Sequence, residues 1–187
     1  TDARIDELKK VYDKALSYRD FLGLIIGTRP DYVNQNVIEL IDSYSSDYDT
    51  WIEYGLQSAN NDTLDRINRN HTYEDFLNAV KLTESTGIKI TVHLILGLPG
   101  ETITDMINTV KKISKLPIKG VKFHHLYILK DTPLYKMYKR GEYQPIDYQT
   151  YKEVLMDAIQ YLNKGVVIHR IMGEDHSSKF VGPKWNQ

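Results

Sequence analysis

Two side chains that can exchange a proton stand inside stretches that are otherwise apolar. His93 lies within TVHLILGLPGET (residues 91–102), and Glu53 lies within WIEYGLQS (51–58). A histidine and a carboxylate held close together can act as an acid–base pair or can hydrogen-bond a polar ligand. Other candidate residues follow the apolar runs or end them, and these are Arg29, Asp31, Gln57, Ser58, Gly97, Leu98, Pro99, Gly100 and His124.

Several kinds of chemistry are excluded by what the 187 residues lack. There is no cysteine, so the chain offers no disulfide, no thiolate nucleophile and no cysteine ligand for zinc or an iron–sulfur cluster. No dinucleotide fingerprint, phosphate-binding loop, nucleophile elbow or metal-ligand spacing is present. The net charge of −1 gives no bulk attraction to nucleic acid, and no apolar run is long enough for a membrane span. We expect a cytoplasmic protein with no membrane partner and no metal ligands of its own.

The elements that must position these residues alternate between helix and strand. Periodicity and helix-cap residues predict helices over 3–18, 33–45, 72–87, 102–116 and 147–162, with a short one from Thr132. Short apolar runs predict strands over 21–27, 50–58, 88–98, 120–129 and 166–171. This alternation predicts an α/β fold with a parallel sheet, and both a doubly wound sheet and a (β/α) barrel fit. In both architectures ligands bind at the carboxyl ends of the strands.

Alternation along the strands predicts which side chains share a face. Glu53, Gly55 and Gln57 lie on one face of their strand, and His93 lies on the corresponding small and polar face of the next. We expect the greasier faces to meet helices and the polar faces to line the barrel interior or cleft. An ionised Glu53 there needs partners or a ligand, because an unpaired buried charge is very costly.

Each candidate also has a simpler structural explanation. A lone buried histidine is more often a satisfied core residue than a catalyst, and the segment 98–100 fits a tight turn. Arg29 and Asp31 could pair with each other, and Arg66 and Arg69 could form a solvated helix face. Their shared position at the carboxyl ends of strands is what favours a small-molecule site.

The apolar run FLGLIIG (21–27) predicts a strand buried on both faces, which is typical of the middle of a parallel sheet. At a sheet edge, its backbone groups and apolar side chains would be unpaired. Two explanations stay open: strands that precede Thr1 complete the sheet, or the strand order places this run centrally. In the first case, dimerisation through the exposed edge is one way to cover it.

Three blocks of this sequence resemble the radical SAM superfamily, in the branch of the Elongator catalytic subunit and the oxygen-independent coproporphyrinogen oxidases. They are IGTRPD (26–31), the long block 51–102, and HHLYILKDTPLYKMY (124–138). The tail VVIHRIMGEDHSSKFVGPKW (166–185) is similar to a bacterial branch described as Fe–S oxidoreductases. The resemblance covers essentially the whole chain, and the block 51–102 is its most specific part.

This resemblance implies a partial (β/α) barrel of the radical SAM type over residues 1–165, truncated at its N-terminus, with a C-terminal strand and tail over 166–187. It implies an oxidoreductase in which a [4Fe–4S] cluster reduces S-adenosylmethionine to a 5′-deoxyadenosyl radical. In the family, three cysteines on the loop after the first strand hold the cluster, and the first strand of this chain resembles the family's third. We therefore expect the cysteine loop before Thr1, and we expect the chain alone to be inactive, with no catalytic residue of its own.

The resemblance also implies roles for the candidate residues. Those assigned to S-adenosylmethionine are Glu53, Gln57 and Ser58 near the ribose and methionine, His93 toward the ribose, and Gly97, Leu98, Pro99 and Gly100 beside the adenine. Arg66 or Arg69 would meet the methionine carboxylate, for which the forked guanidinium of arginine is suited. Arg29, Asp31 and His124 would face the substrate.

Two other functions stay open from the residues themselves. One is a non-catalytic nucleotide- or RNA-binding (β/α) module that uses the same face, and the other is an ordinary (β/α) enzyme with His93 and Glu53 as its acid–base pair. For the radical SAM interpretation, the expected partners are a reductant for the cluster and a substrate that is a tRNA or a small molecule.

Overall fold

A computed structural model describes residues 3–173 and 177–185. The helices are α1 (Ile5–Leu16), α2 (Gln35–Asp42), α3 (Asn61–Arg66), α4 (Tyr73–Thr83), α5 (Ile103–Ile113), α6 (Pro133–Lys139) and α7 (Tyr148–Gln160), with a 3₁₀ helix at Pro30–Tyr32. The strands are β1 (Gly23–Thr28), β2 (Asp49–Gln57), β3 (Lys89–Leu96), β4 (Gly120–His125), β5 (Ile128–Leu129), β6 (Val167–Arg170) and β7 (Phe180–Gly182). Residues 174–176 and 186–187 of the predicted tail lie outside the described part.

Five of these strands form one parallel sheet in the order β1-β2-β3-β4-β6. Each strand lies beside the preceding strand of the same sheet, so the order never reverses as it does in a doubly wound sheet. The α/β prediction is confirmed, and the arrangement is the barrel alternative. β6 belongs to this sheet, whereas β7 pairs with β5 in a separate antiparallel sheet.

The run 120–129, predicted as one strand, is divided in the structure. β4 ends at His125, and Leu126 donates a last backbone hydrogen bond to Leu96. Ile128 and Leu129 then pair with β7 instead of continuing along β3. Apolar composition alone did not show this change of partner, because both pairings bury the same kind of side chain.

The hydrophobic core lies between the convex face of the sheet and the helices. Ile52, Tyr54 and Leu56 alternate along β2, and none of the three is accessible to solvent. The ring of Tyr54 packs edge-on against Phe76 of α4, with 6.0 Å between ring centroids. As expected, the greasier strand faces meet helices, and the polar faces are left on the concave side.

Two helix starts predicted from the sequence are confirmed, one at α4 and one at α5. Thr72 and Asp75 form a complete capping box at the start of α4, and Thr102 and Asp105 form another at the start of α5. A capping box satisfies two backbone N–H groups that the first helical turn leaves unpaired. The second box begins α5 immediately after the turn at 97–100. Among the described helices, none combines the length and apolar character needed to cross a bilayer.

The expectation that the run 21–27 is buried on both faces is wrong. β1 is the edge of the sheet, and the side chains of Leu22 and Ile25 are 91% and 58% exposed. Leu24 and Ile26, which point toward the helices, are buried. The strand order therefore does not place this run centrally, and the concave face beside Ile25 is open among the described residues.

Candidate functional site

The polar concave face is centred on a hydrogen-bonded group of three side chains, Glu53, His93 and Lys122, which we call the Glu53 cluster. One carboxylate oxygen of Glu53 accepts a hydrogen bond from Lys122 Nζ at 2.5 Å, and the other lies 2.9 Å from His93 Nε2. Parallel pairing places His93 directly beside Lys122 on neighbouring strands. Glu53 is only 8% exposed, and this cluster supplies the partners that its charge requires.

Lys122 is a site residue that the sequence analysis missed. Its signal is a single cation in the otherwise apolar start of the run GVKFHH (120–125), two positions before His124 and so on the same strand face. Only the pairing of β3 with β4 shows that this cation reaches Glu53.

The protonation states of the Glu53 cluster follow from its contacts. Burial raises the pKa of Glu53, but hydrogen bonds from Lys122 and His93 outweigh burial and leave that pKa below its usual range. Burial lowers the pKa of His93 more than the Glu53 hydrogen bond raises it, and the nearby Lys122 and Arg170 lower it further. At neutral pH the cluster therefore holds an ionised carboxylate and a neutral imidazole. If Nε2 donates to Glu53, Nδ1 carries the free lone pair.

A cleft of about 330 Å³ opens beside the cluster at the carboxyl ends of β2, β3, β4 and β6, and we call it the central cleft. Its walls are Gln57, His93, Leu94, Ile95, His124, His125, Leu126, Tyr127 and Arg170. The structure thus brings together three predicted site residues that are far apart in the chain, Gln57, His93 and His124. The position of the cleft is the one where parallel α/β sheets bind ligands.

The end of β2 is distorted where it meets the cleft. The pairing of β2 with β3 shifts register between Tyr54 and Gln57, and Gln57 has a φ of 73°. Bulges beside sites re-aim side chains, and a left-handed backbone is uncommon for a residue other than glycine. The distortion places the amide of Gln57 on the wall of the central cleft.

The turn at 97–100 is braced from both sides. Tyr143 donates a hydrogen bond from its hydroxyl to the carbonyl of Gly97 at 2.8 Å, and Arg66 donates to the carbonyl of Pro99 at 2.9 Å. Both glycines have a left-handed backbone, with φ of 86° at Gly97 and 83° at Gly100. A Cβ at Gly100 would meet the Arg66 guanidinium, so this arginine is part of the turn as well as a candidate ligand.

Gly97→Ala is predicted to destabilise the protein by about 2 kcal/mol, measured by urea unfolding. A left-handed backbone costs an alanine about 1–2 kcal/mol, and the new Cβ would lie 3.0 Å from Ile146 Cγ2. Gly141→Ala is the matched control, because Gly141 has a φ of 74° but nothing within 4 Å of a Cβ. Equal losses in the two variants would show that the contact between the new Cβ and Ile146 adds nothing to the loss at Gly97.

The remaining predicted residues do not line the central cleft, and most of them are bonded to other parts of the chain. Arg69 donates from Nη2 to the carbonyl of Gly55 at 2.7 Å, at the spot where a Cβ on Gly55 would point. Arg29 and Asp31 form a bidentate ion pair with each other, as the simpler explanation held. Ser58 is 1% exposed and donates its hydroxyl to Glu101, whose pKa burial raises. Ser58 therefore connects the end of β2 to the segment that precedes α5.

The donor set of the described residues suits an organic ligand better than a metal. No group of three or more His, Cys, Asp or Glu side chains in the described ranges is placed to hold a metal ion, and the sequence has no cysteine for an iron–sulfur cluster. The concave face instead offers a carboxylate, an imidazole, an amide and a guanidinium. These groups can hydrogen-bond hydroxyl, amino and carboxylate groups of a polar organic ligand.

Two protein-family models together match nearly the whole chain. The model described as the radical SAM superfamily matches residues 1–113, which is more than half of the chain. The model described as the radical SAM C-terminal domain matches residues 118–187.

Individual proteins give the same similarity. An uncharacterized protein of Methanocaldococcus jannaschii is 37% identical over 99% of this chain and 58% of its own length. The tRNA uridine(34) acetyltransferase of the same organism is 31% identical over 89% of this chain and 30% of its own length. The solved structure of the Methanocaldococcus infernus Elp3 with an N-terminal deletion superposes with a TM-score of 0.70 at 30% identity, covering 86% of this chain and 38% of that one. The chain thus spans less than two thirds of the length of each of these relatives.

Proposed function

The chain belongs to the radical SAM superfamily, and on this basis we propose that it forms the part of a radical SAM enzyme that binds S-adenosylmethionine and the substrate. The observation that carries the proposal is the Glu53 cluster beside the central cleft, at the carboxyl ends of a barrel-type sheet. An ion-paired carboxylate and a neutral imidazole on a concave wall suit recognition of a polar ligand more than a structural core.

The cofactor chemistry divides between this chain and residues outside it. When bound, a [4Fe–4S] cluster supplies the electron that cleaves S-adenosylmethionine, and none of the 187 residues is a cysteine that could hold it. We propose that the cluster ligands come from a segment outside this sequence and that the chain alone does not cleave S-adenosylmethionine. An external reductant is then required.

The residues of this chain would bind and orient the cofactor. Glu53 orients His93 through its Nε2, so that His93 Nδ1 and the amide of Gln57 form a polar wall suited to ribose hydroxyls. Arg69 lies over Gly55 on the concave side and keeps further N–H groups for the methionine carboxylate, whereas Arg66 is held against the turn. We therefore favour Arg69 as the carboxylate partner.

The test is anaerobic reconstitution of the complete gene product with iron and sulfide. We expect charge-transfer absorbance of a [4Fe–4S] cluster and, after addition of dithionite, release of 5′-deoxyadenosine from S-adenosylmethionine, detected by chromatography. The 187-residue chain treated in parallel is the matched control and should give neither signal. A complete gene product that binds no iron contradicts the proposal and favours the non-catalytic nucleotide- or RNA-binding module.

A further inference from the structure

We propose that Arg170 binds an oxyanion of the substrate, a phosphate or a carboxylate, in the central cleft. The inference rests on the proposed function only in taking the cleft as the place where a substrate binds. Its physical basis is an arginine that lies on the wall of the cleft and has no counter-ion among the residues that the structure describes.

A bulge turns Arg170 toward the cleft. Along β4 and β6 the pairing runs from Val121 with Ile168 to Lys122 with Arg170, so β6 holds one extra residue at that point. Consecutive strand residues normally point to opposite faces, and a bulge breaks that rule. His169 accordingly packs against Trp51 of β2, with ring centroids 5.0 Å apart, while Arg170 lines the central cleft.

Among residues 3–173 and 177–185, the charges around Arg170 do not balance. In strand pairing it neighbours Lys122, and the only carboxylate in the Glu53 cluster is already bonded to Lys122 and His93. Within the described ranges, no carboxylate oxygen lies within 4 Å of the Arg170 guanidinium, which makes no side-chain hydrogen bond there. Two cations thus share a wall with one carboxylate.

The Nε–H of Arg170 adds an independent observation. This atom is buried and has no hydrogen-bond partner among the described residues. A buried donor without an acceptor is costly, and more so on a charged group. Because Nε is closed to solvent, an oxyanion in the cleft would bind the guanidinium through its Nη groups and would neutralise its charge.

The position of Arg170 in the sheet favours the substrate over the cofactor as the source of the oxyanion. Arg69, our candidate for the methionine carboxylate, lies over β2, and β3 and β4 separate β2 from β6. Arg69 reaches the concave face from the segment after α3, and Arg170 reaches it from β6, so the two guanidiniums approach from different elements. We assign the methionine carboxylate to Arg69 and the oxyanion of the substrate to Arg170, and the second titration below distinguishes the two.

The experiment measures binding by isothermal titration calorimetry to the complete gene product, with inorganic phosphate as the probe and S-adenosylhomocysteine at saturation. We expect Arg170→Gln to raise the dissociation constant for phosphate at least about tenfold, which is the usual loss for a charge-assisted hydrogen bond. Arg170→Lys should retain part of the affinity, and it keeps the positive charge if the glutamine variant folds poorly. Arg19→Gln, at an exposed site, is the matched control and should bind phosphate like the parent.

A second titration distinguishes the two sources of the oxyanion. S-adenosylhomocysteine, titrated alone, carries the cofactor's carboxylate, and its affinity should fall less than twofold in Arg170→Gln. A tenfold fall would assign Arg170 to the cofactor and overturn the proposal, as would phosphate binding that is absent in the parent or equal in Arg170→Gln. None of these measurements needs the cluster. The proposal for Arg170 can therefore fail or hold independently of whether the complete gene product cleaves S-adenosylmethionine.

Discussion

Replacing Glu53 by glutamine should lower the free energy of unfolding by about 2–4 kcal/mol, measured by urea denaturation followed by circular dichroism. The neutral amide preserves the shape of the side chain but leaves Lys122 as an unpaired cation beside Arg170. Removing one partner of a buried pair is costly because the remaining charge loses both water and counter-ion. The loss should be at the lower end of this range, since Lys122 keeps 23% of its side chain exposed.

Two further variants isolate the cause of that loss. The double variant Glu53→Gln with Lys122→Met should recover at least half of the lost stability, because it also removes the positive charge of Lys122 that Glu53→Gln leaves unpaired. Asp49→Asn is the matched control on β2, since Asp49 pairs with Lys89 at 2.7 Å but both side chains are about half exposed. It should cost no more than about 1 kcal/mol. Equal losses from Glu53→Gln and Asp49→Asn would mean that Glu53 is not an interior ion-pair partner.

The second large effect is a loss of stability in mild acid that depends on His125. This side chain is 4% exposed and packs on Trp185, with 4.1 Å between ring centroids. Burial, together with the neighbouring His124, lowers the pKa of His125 from 6.5 to about 4. Between those two values the unfolded chain binds a proton that the folded chain does not. Above pH 6.5 His125 therefore takes nothing from the free energy of unfolding. As the pH falls toward 4, its titration lowers that free energy by about 3 kcal/mol in all.

The variant His125→Phe tests this effect through its pH profile. It keeps an aromatic ring against Trp185 but cannot take up the proton, so the free energy of unfolding should vary less between pH 6.5 and 4 than in the parent. Burial also lowers the pKa of His71 and His93, and both residues are present in both proteins, so their contributions cancel in the difference. Parallel pH profiles would contradict the prediction, whatever the absolute stability of the variant.

Much of the fold and part of the site could be predicted from local pattern. Side-chain direction alternates with each strand residue, so the period-two pattern around Glu53 and His93 was enough to separate the core face from the polar face. The capping boxes at Thr72 and Thr102 likewise involve residues only three positions apart. Such signals are readable because the interacting groups are close in the chain.

The roles of the arginines were harder to predict, because each depends on a backbone carbonyl or a strand register that composition does not encode. The sequence predicted that Arg66 and Arg69 either form a solvated helix face or bind a carboxylate. In the structure, Arg66 donates to the carbonyl of Pro99 in the turn at 97–100, and Arg69 donates to the carbonyl of Gly55 in β2. Arg170 had no distinguishing signal, because a bulge rather than alternation turns it inward. The edge position of β1 stayed one of two alternatives for a similar reason, since an apolar run has the same composition at an edge and at the centre of a sheet.

The sequence by itself determined the α/β alternation, the parallel sheet, the absence of thiolate ligands and the need of Glu53 for partners. Only the tertiary structure decided which partners those are. His93 lies 40 residues from Glu53 along the chain, and Lys122 lies 69 residues away. The register between strands joins these side chains, and it is set by the packing of the whole sheet against its helices. Local periodicity predicts the direction of a side chain, whereas the group that it meets is decided across the sheet.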